Sequence, residues 1–482
     1  MSNIHTMPHK LNYINGQWTG SELAYMEVVN PFNGETIATV PKAGRREAEM
    51  AIDAAHQAFS SWSRLSAQER AGYLQRVANI MLENKEELAR IMTLEMGKPL
   101  RESRGEVQYA ASFLEWYAEE AKRIYGRTVP GRDASQRILV LKQPVGVVAA
   151  ITPWNFPAAM VTRKLGPALA AGCTIIVKPA EQTPLTAIRL MEYCEQAGIP
   201  HGVVNLVTGD PAEIGDAFMS NPLVRKITFT GSTAVGKHLI RKSADQVKKV
   251  SMELGGHAPM IVFEDADVEK AVQGAISSKF RNAGQTCICM NRIYVHEKVY
   301  DRFVQAFAEA VSQLKVGDGL DEHTHVGPII DRDGYEKIDR HVQDALEKGA
   351  KAVIGGRGHI VNERACFYQP TVLTNVNSDM LIMYEETFGP VAPIQTFQRD
   401  EEAIALANAS PYGLAAYFYT ESMKRGTKVM EALEYGIIGW NDALPSTAQA
   451  PFGGMKESGI GREGGSEGIE PYLETKYVSV GI

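Results

Sequence analysis

From Pro144 onward the chain repeats strand, turn and helix at intervals of about 25 residues, the period of crossover units in a parallel sheet. Short apolar runs at Val145 to Ile151, Thr174 to Val177, Val203 to Val207, Lys226 to Phe229 and Val250 to Met252 are separated by helical stretches. Strands that are apolar throughout need cover on both faces, so the alternation predicts a doubly wound α/β sheet. A second alternation runs from Pro259 to near Met430, opening with strand-like Met260 to Phe263 and helix-like Val268 to Phe280. It predicts a second α/β domain, and 482 residues suffice for both.

Ahead of this pattern, Asn12 to Val40 reads as short strands broken by the turn signals Asn15-Gly16 and Asn33-Gly34. Arg45 to Phe59, Ala67 to Glu83 and Glu86 to Met96 carry apolar residues at three- and four-residue spacing, and helical character continues toward Tyr125. Ser66 with Glu69 has the form of a capping box. Ile124 to Lys142 and Glu470 to Val480 fit neither sheet and are read as strands that add to a partner's edge.

The bulk composition excludes several classes. A net charge of -7 lacks the basic excess of a nucleic-acid binder. Met1 to Lys10 is polar, and no run approaches the roughly 18 apolar residues of a membrane span, so neither a signal peptide nor a membrane partner is expected. The reading is a cytoplasmic protein. Five cysteines, Cys173, Cys194, Cys287, Cys289 and Cys366, are too few and odd in number for a disulfide scaffold.

Phe229 to His238 leaves a strand and opens a helix, where main-chain N–H groups face a phosphate. Gly231, Gly236 and Lys237 imitate a P-loop, but His238 lacks the hydroxyl that holds magnesium, and Thr233 replaces the middle glycine of the usual dinucleotide fingerprint. By itself the loop is equally a plain strand-to-helix turn.

The segment Phe280 to Cys289 is polar, contains Gly284 and follows a helix, so its thiols can open into a cleft. A single cysteine is more often passive packing. The C-x-C spacing of Cys287 and Cys289 is neither a redox pair nor half of a zinc site, and no metal is expected. Two other residues change that balance. Glu253 ends a predicted strand ahead of Gly255 and Gly256, which projects a carboxylate from the sheet's carboxyl edge. Asn155 sits between Pro153 and Pro157 at the end of the first strand, a rigid setting for a positioned amide.

With these residues stand Lys178-Pro179-Ala180-Glu181, Phe229 to Ser232, Glu253-Leu254-Gly255-Gly256, Gly284-Gln285-Thr286-Cys287, Glu385 to Pro390 and Pro451-Phe452-Gly453-Gly454, in this order. In that ordered set the chain resembles the aldehyde dehydrogenase superfamily from Tyr13 to Val480. The resemblance implies two doubly wound α/β domains with a small β oligomerisation extension. It implies a dinucleotide-binding domain at 1–123 and 143–255, a catalytic domain at 256–440, and oligomerisation strands at 124–142 and 466–482. A homodimer or homotetramer follows from it.

The same resemblance implies Cys287 as nucleophile, Asn155 with the main-chain N–H of Cys287 as oxyanion donors, and Glu253 as the base that activates water. It places Lys178, Ala180 and Glu181 near the adenosine ribose and Gly231 and Ser232 by the pyrophosphate. Trp154, Leu254, Glu386 and Phe388 complete the cofactor site, the last two toward the nicotinamide. A carboxylate at Glu181 accepts from ribose hydroxyls and repels a 2′-phosphate, which favours NAD and leaves NADP as the alternative.

Phe280 to Cys289 most resembles the succinate-semialdehyde branch. There Arg281 and Arg163 are expected to form a cationic fork for a distal carboxylate, with Ser446 adding a hydroxyl. Glutarate and 2-oxoglutarate semialdehydes carry the same charged group, and two structural ion pairs are the competing reading of the arginines. Cys289 is a candidate redox partner of Cys287. A thioester passed to coenzyme A, and an idle dehydrogenase fold used for binding, are the rival functions.

Overall fold

A computed structural model describes residues 11–482, and Met1 to Lys10 lies outside the described residues. At the centre of the first sheet lies β1 (Val147–Ile151). On one side are β2 (Thr174–Lys178) and β3 (Val204–Leu206); on the other are β4 (Val224–Thr230) and β5 (Lys249–Glu253). All five are parallel. The order 3-2-1-4-5 changes direction between β1 and β4, and the carboxyl ends of strands at such a switch point frame a ligand crevice. β2 is buried along its whole length, as the apolar runs require.

Two antiparallel additions widen this sheet. The hairpin Asn12–Ile14 with Gln17–Thr19 turns at Asn15 and Gly16, both left-handed at φ 52° and 73°, as an Asn-Gly turn demands. Gly459–Ile460 pairs with β5 so that Gly459 faces Glu253. No sequence signal marked that two-residue strand.

The second sheet holds β6 (Ala258–Val262), β7 (Met290–His296), β8 (Thr371–Thr374), β9 (Val391–Phe397), β10 (Ala415–Tyr419) and β11 (Ile437–Trp440). They run parallel in the order 8-9-7-6-10-11, with Lys351–Ile354 antiparallel on the β8 edge. Only Leu254 to His257 join β5 to β6, so Glu253 ends one sheet where the chain enters the other.

Helices cover both sheets. Those bearing on the site are α1 (Leu100–Glu120), α2 (Ala159–Ala171), α3 (Thr233–Ser243), α4 (Val268–Lys279) and α5 (Arg332–Glu347). Every residue of α2 is buried, and α2 packs along α1. The predicted capping box is formed: Glu69 N–H donates to Ser66 Oγ at 3.3 Å, and Ser66 N–H to the Glu69 carboxylate at 2.7 Å.

The two orphan segments pair with each other. Arg127–Pro130, Gln136–Pro144 and Leu473–Gly481 form a three-stranded antiparallel sheet, the last two in register from Leu473 opposite Pro144 to Gly481 opposite Gln136. Each thus has a partner strand within the chain, and the sheet's outer edges are Arg127–Pro130 and Leu473–Gly481. Among the described residues no helix is long and apolar enough to cross a membrane.

Candidate active site

Asn155 follows β1 in a loop held from three directions. Its main-chain carbonyl accepts from Lys98 Nζ at 2.6 Å and from Asn282 Nδ2 at 3.0 Å. Its side-chain Nδ2 donates to the carbonyl of Gln285 at 3.2 Å, while its Oδ1 is buried without a hydrogen-bond partner. Lys98 in turn pairs with Glu106 at 2.5 Å, and both side chains are almost fully buried. The other carboxylate oxygen of Glu106 accepts from the N–H groups of Ala158 and Ala159 at 2.9 and 3.2 Å. A carboxylate thus satisfies the amino end of α2, where the helix dipole favours negative charge.

The Cys287 loop carries backbone strain. Asn282, Ala283 and Gly284 are consecutively left-handed, at φ 51°, 54° and 73°. Residues other than glycine hold that conformation only where their surroundings over-determine it. Gln285 supplies one brace: its Nε2 donates to the carbonyls of Asn282 and Pro328, and its Oε1 accepts from Ile330 N–H at 3.0 Å. Gly284 supplies another, because a Cβ there would stand 2.1 Å from the carbonyl oxygen of Gly389.

Cys287 opens into a cavity of about 470 Å³, within the size range of small-molecule sites. Burial pushes its thiol up to about 12; Arg163 and Arg281 act against that shift, and Glu386 and Glu253 add to it. Asn155, Trp154, Gly231, Ser232, Leu254, Glu386 and Phe388 line the same cavity. Glu253 lies at the end of β5, 3% exposed, with Oε2 unpartnered. Burial, and then the nearby Glu463, holds its carboxyl well above the usual range, against the pull of Arg163, Lys164 and Arg462.

Glu463 alters the expected arginine fork. Arg163 Nε lies 2.8 Å from Glu463 Oε2, and Lys164 holds the other carboxylate oxygen while donating to Thr230 Oγ1 at 2.7 Å. The Arg163 guanidinium also lies 3.9 Å from the centre of the Phe452 ring. Arg163 is therefore paired with a carboxylate, while its Nη2 is buried with no hydrogen-bond partner among the described residues. Arg281 differs: no carboxylate among the described residues lies within ion-pair distance, and its Nε is buried without a partner beside the Phe156 ring, at 5.2 Å.

Ser446 stands beside the phenol of Tyr109, a residue the sequence reading passed over. The Tyr109 oxygen is buried and meets no hydrogen-bond geometry, and its ring meets Phe113 edge-on at 4.9 Å. The signal was present in the spacing of Glu102, Glu106, Tyr109 and Phe113, which puts polar groups on one face of α1, where Glu106 and Phe113 are buried and Glu102 and Tyr109 half-buried.

Ser232 caps α3, its Oγ accepting from Val235 N–H at 3.4 Å. Lys237 turns away to pair with Glu457 at 2.8 Å, on the surface, so the P-loop imitation ends in a lysine that does not face the loop. Lys178 is buried at the end of β2 and pairs with Glu181; burial pushes its ammonium down to about 8, opposed by Asp210. Ala180, between them, is buried. Glu386 Oε1 accepts from Gly256 N–H at 2.9 Å, and burial pushes its carboxyl up to about 6. Phe388, left-handed at φ 57°, meets Trp154 edge-to-face at 5.5 Å.

Glu181 lines a neighbouring cavity rather than the one at Cys287, and Lys178 and Ala180 are buried beside it. Gly255 lines the Cys287 cavity where a Cβ would lie 3.1 Å from Glu386 and 3.2 Å from Thr233, so its bareness keeps the cradle open beside the amino end of α3. Cys289 is fully buried, its Sγ 3.6 Å from the Lys279 carbonyl, whereas Cys287 faces the cavity. Both are free thiols. Among the described residues no group of His, Cys, Asp and Glu is arranged to hold a metal ion.

Residues 18–478 match the aldehyde dehydrogenase family. The chain belongs to that family. This aldehyde dehydrogenase is 54% identical over 470 residues to the NADP(+) succinate-semialdehyde dehydrogenase of Escherichia coli strain K12, covering 97% of each chain. It is 53% identical to the glutarate-semialdehyde dehydrogenase of Pseudomonas putida, covering 98% of this chain and 97% of that one. Its fold superposes on the crystal structure of an NADP-dependent enzyme of E. coli with a TM-score of 0.97, at 53% identity, covering 100% of this chain and 99% of the other.

Proposed function

We propose that this enzyme oxidises a short aldehyde bearing a distal carboxylate, succinate semialdehyde first, to the dicarboxylic acid. The observation that carries the reading is Arg281, a cation in the nucleophile loop that, among the described residues, has no carboxylate within ion-pair distance and no hydrogen-bond partner for its buried Nε. Such a donor is costly unless a ligand satisfies it, and a carboxylate is the matching acceptor. Ser446 and Tyr109 supply further donors at the same end. The relatives' names, succinate- and glutarate-semialdehyde dehydrogenase, share a terminal carboxylate and differ by one methylene.

The reaction follows from the chain's own groups. Cys287, its thiol proton given up to solvent, attacks the aldehyde carbon as the thiolate, and the Asn155 amide with the Cys287 N–H receives the oxygen as it becomes anionic, worth about 3 to 4 kcal/mol per donor in comparable sites. A bound nicotinamide would supply the hydride acceptor, and loss of hydride leaves a thioester on Cys287. Glu253, held above the ordinary carboxylate range, then takes a proton from the water that attacks that thioester, and Cys287 leaves as the thiolate. Lys178, Ala180 and Glu181 would hold the adenosine end, Gly231 and Ser232 the pyrophosphate, and Trp154, Leu254, Glu386 and Phe388 the nicotinamide end.

NAD is the preferred cofactor in this reading, because the Glu181 carboxylate occupies Lys178 and repels a 2′-phosphate. The assembly is a homodimer, or a dimer of dimers, built on the three-stranded sheet. Gln136–Pro144 has no fully buried residue although Ile138 to Leu141 is a continuous apolar run, and Leu141 and Tyr477 are 44% and 61% exposed. A second copy is the cover that such a strand calls for.

The test follows formation of reduced nicotinamide by absorbance, using succinate semialdehyde, glutarate semialdehyde and an uncharged aldehyde of similar length. A higher kcat/KM for either charged substrate is expected. Preference for the uncharged one would remove the basis for an anion site at Arg281.

A further inference from the structure

α5 presents one face to the cofactor cavity and, a turn further on, buries His341. Asp333, Gly334 and Lys337 line the cavity, and His341 follows Lys337 by four residues, 0% exposed. Its Nδ1 lies 3.2 Å from Thr387 Oγ1 and its Nε2 lies 3.2 Å from Glu385 Oε2. Those two partners flank Glu386 on both sides.

One protonation state satisfies both contacts. A carboxylate only accepts, so Nε2 carries the proton, and Nδ1 is then the acceptor for the Thr387 hydroxyl. Burial first, then the charges of Lys337 and Arg340, pushes the ring down to about 4, against the pull of Glu385, so the neutral tautomer persists at ordinary pH. Two residues beyond Glu386, Phe388 is left-handed at φ 57°, a conformation a bulky residue keeps only when its neighbours enforce it. α5 enforces it from beyond as well, because a Cβ on Gly389 would lie 2.5 Å from Ile338 of the same helix. The loop is thus gripped at 385, 387 and 389, and the two residues left between those grips are Glu386 and Phe388.

We propose that His341 is a positioning residue for the cofactor: its neutral imidazole bridges Glu385 and Thr387 and so aims Glu386 and Phe388 at the nicotinamide riboside half. This rests on the proposed reading that Glu386 and Phe388 meet that half. A merely structural histidine would loosen the fold and weaken all cofactor contacts together. A positioning histidine affects one half of the dinucleotide.

The test compares wild type with His341→Ala, His341→Asn, whose amide falls near Nδ1, and His341→Gln, whose amide falls near Nε2. Dissociation constants are measured by calorimetry for NAD and, separately, for ADP, which lacks the nicotinamide riboside. For His341→Ala, NAD binding is expected to weaken at least about tenfold while ADP binding stays within about twofold. His341→Asn, which keeps the Thr387 contact, is expected to recover most of the NAD affinity. Parallel losses for NAD and ADP, or no loss for either, would overturn the proposal. If His341→Ala does not fold, His341→Gln, which loses the Thr387 contact, gives the same comparison. Glu386→Gln is the control on the underlying reading: if it leaves NAD affinity unchanged, the loop does not meet the nicotinamide ribose, whatever His341 does.

Discussion

The ammonium of Lys98 donates to the main-chain carbonyl of Asn155 at 2.6 Å while pairing with Glu106 at 2.5 Å. One buried cation therefore fixes the loop that bears the oxyanion donor and neutralises the carboxylate that caps α2. Removing one member of a buried pair leaves the other charge stranded, at a cost of about 3–5 kcal/mol. Lys98→Met is expected to lower the unfolding midpoint in denaturant by a corresponding amount. It should also reduce kcat, because Asn155 loses its brace. A variant as stable and as fast as wild type would show that the contact carries neither role.

The Cys287 thiol, pushed up to about 12 by burial, is protonated in the resting enzyme at neutral pH. The thiolate is the reactive form, so alkylation of the cofactor-free enzyme by iodoacetamide should accelerate about tenfold per pH unit from about pH 7 to about pH 10 without a plateau. Arg281 acts to lower this pKa, so Arg281→Met should slow alkylation at every pH in that range. A plateau near neutrality would mean that the thiol is already ionised.

Glu253→Gln separates acylation from hydrolysis. The first turnover should still release one equivalent of reduced cofactor per site, followed by steady-state turnover slowed about 10²- to 10⁴-fold. In the unaltered enzyme the base form of Glu253 is needed. Its pKa is raised, so kcat should fall as pH drops through that raised value. Stopped-flow absorbance reads both outcomes.

Tyr109→Phe keeps the ring contact with Phe113 and deletes only the buried hydroxyl. If that hydroxyl serves the distal carboxylate, kcat/KM for succinate semialdehyde should fall about 5- to 100-fold and that for an uncharged aldehyde should hold. Equal changes for both substrates would return Tyr109 to a packing role.

Glu181→Ser frees Lys178 from its carboxylate partner and removes the repulsion of a 2′-phosphate. The ratio of kcat/KM for NADP to that for NAD should rise, by about tenfold or more. An unchanged ratio would place cofactor choice elsewhere in the site.

Much of this architecture is local in origin and so was legible along the chain. Hydrophobic period and turn residues depend on near neighbours, and they marked β1, β2, β4 and β5, the capping box at Ser66 and the glycine-rich exit from β4. The ordered motifs around Asn155, Glu253 and Cys287 identified the family, because each keeps its residue types at fixed local spacing. What tertiary structure decided is where charges meet. Arg163 and Arg281 look alike in sequence, yet Glu463, distant in the chain, pairs with the first, and no carboxylate among the described residues lies within ion-pair distance of the second. The match between Gln136–Pro144 and Leu473–Gly481 was likewise invisible, since an edge strand's partner is set by which edge the fold leaves open. His341 carries no motif at all. Electrostatic and hydrogen-bond partners act through space, and only the folded chain puts an imidazole between Glu385 and Thr387.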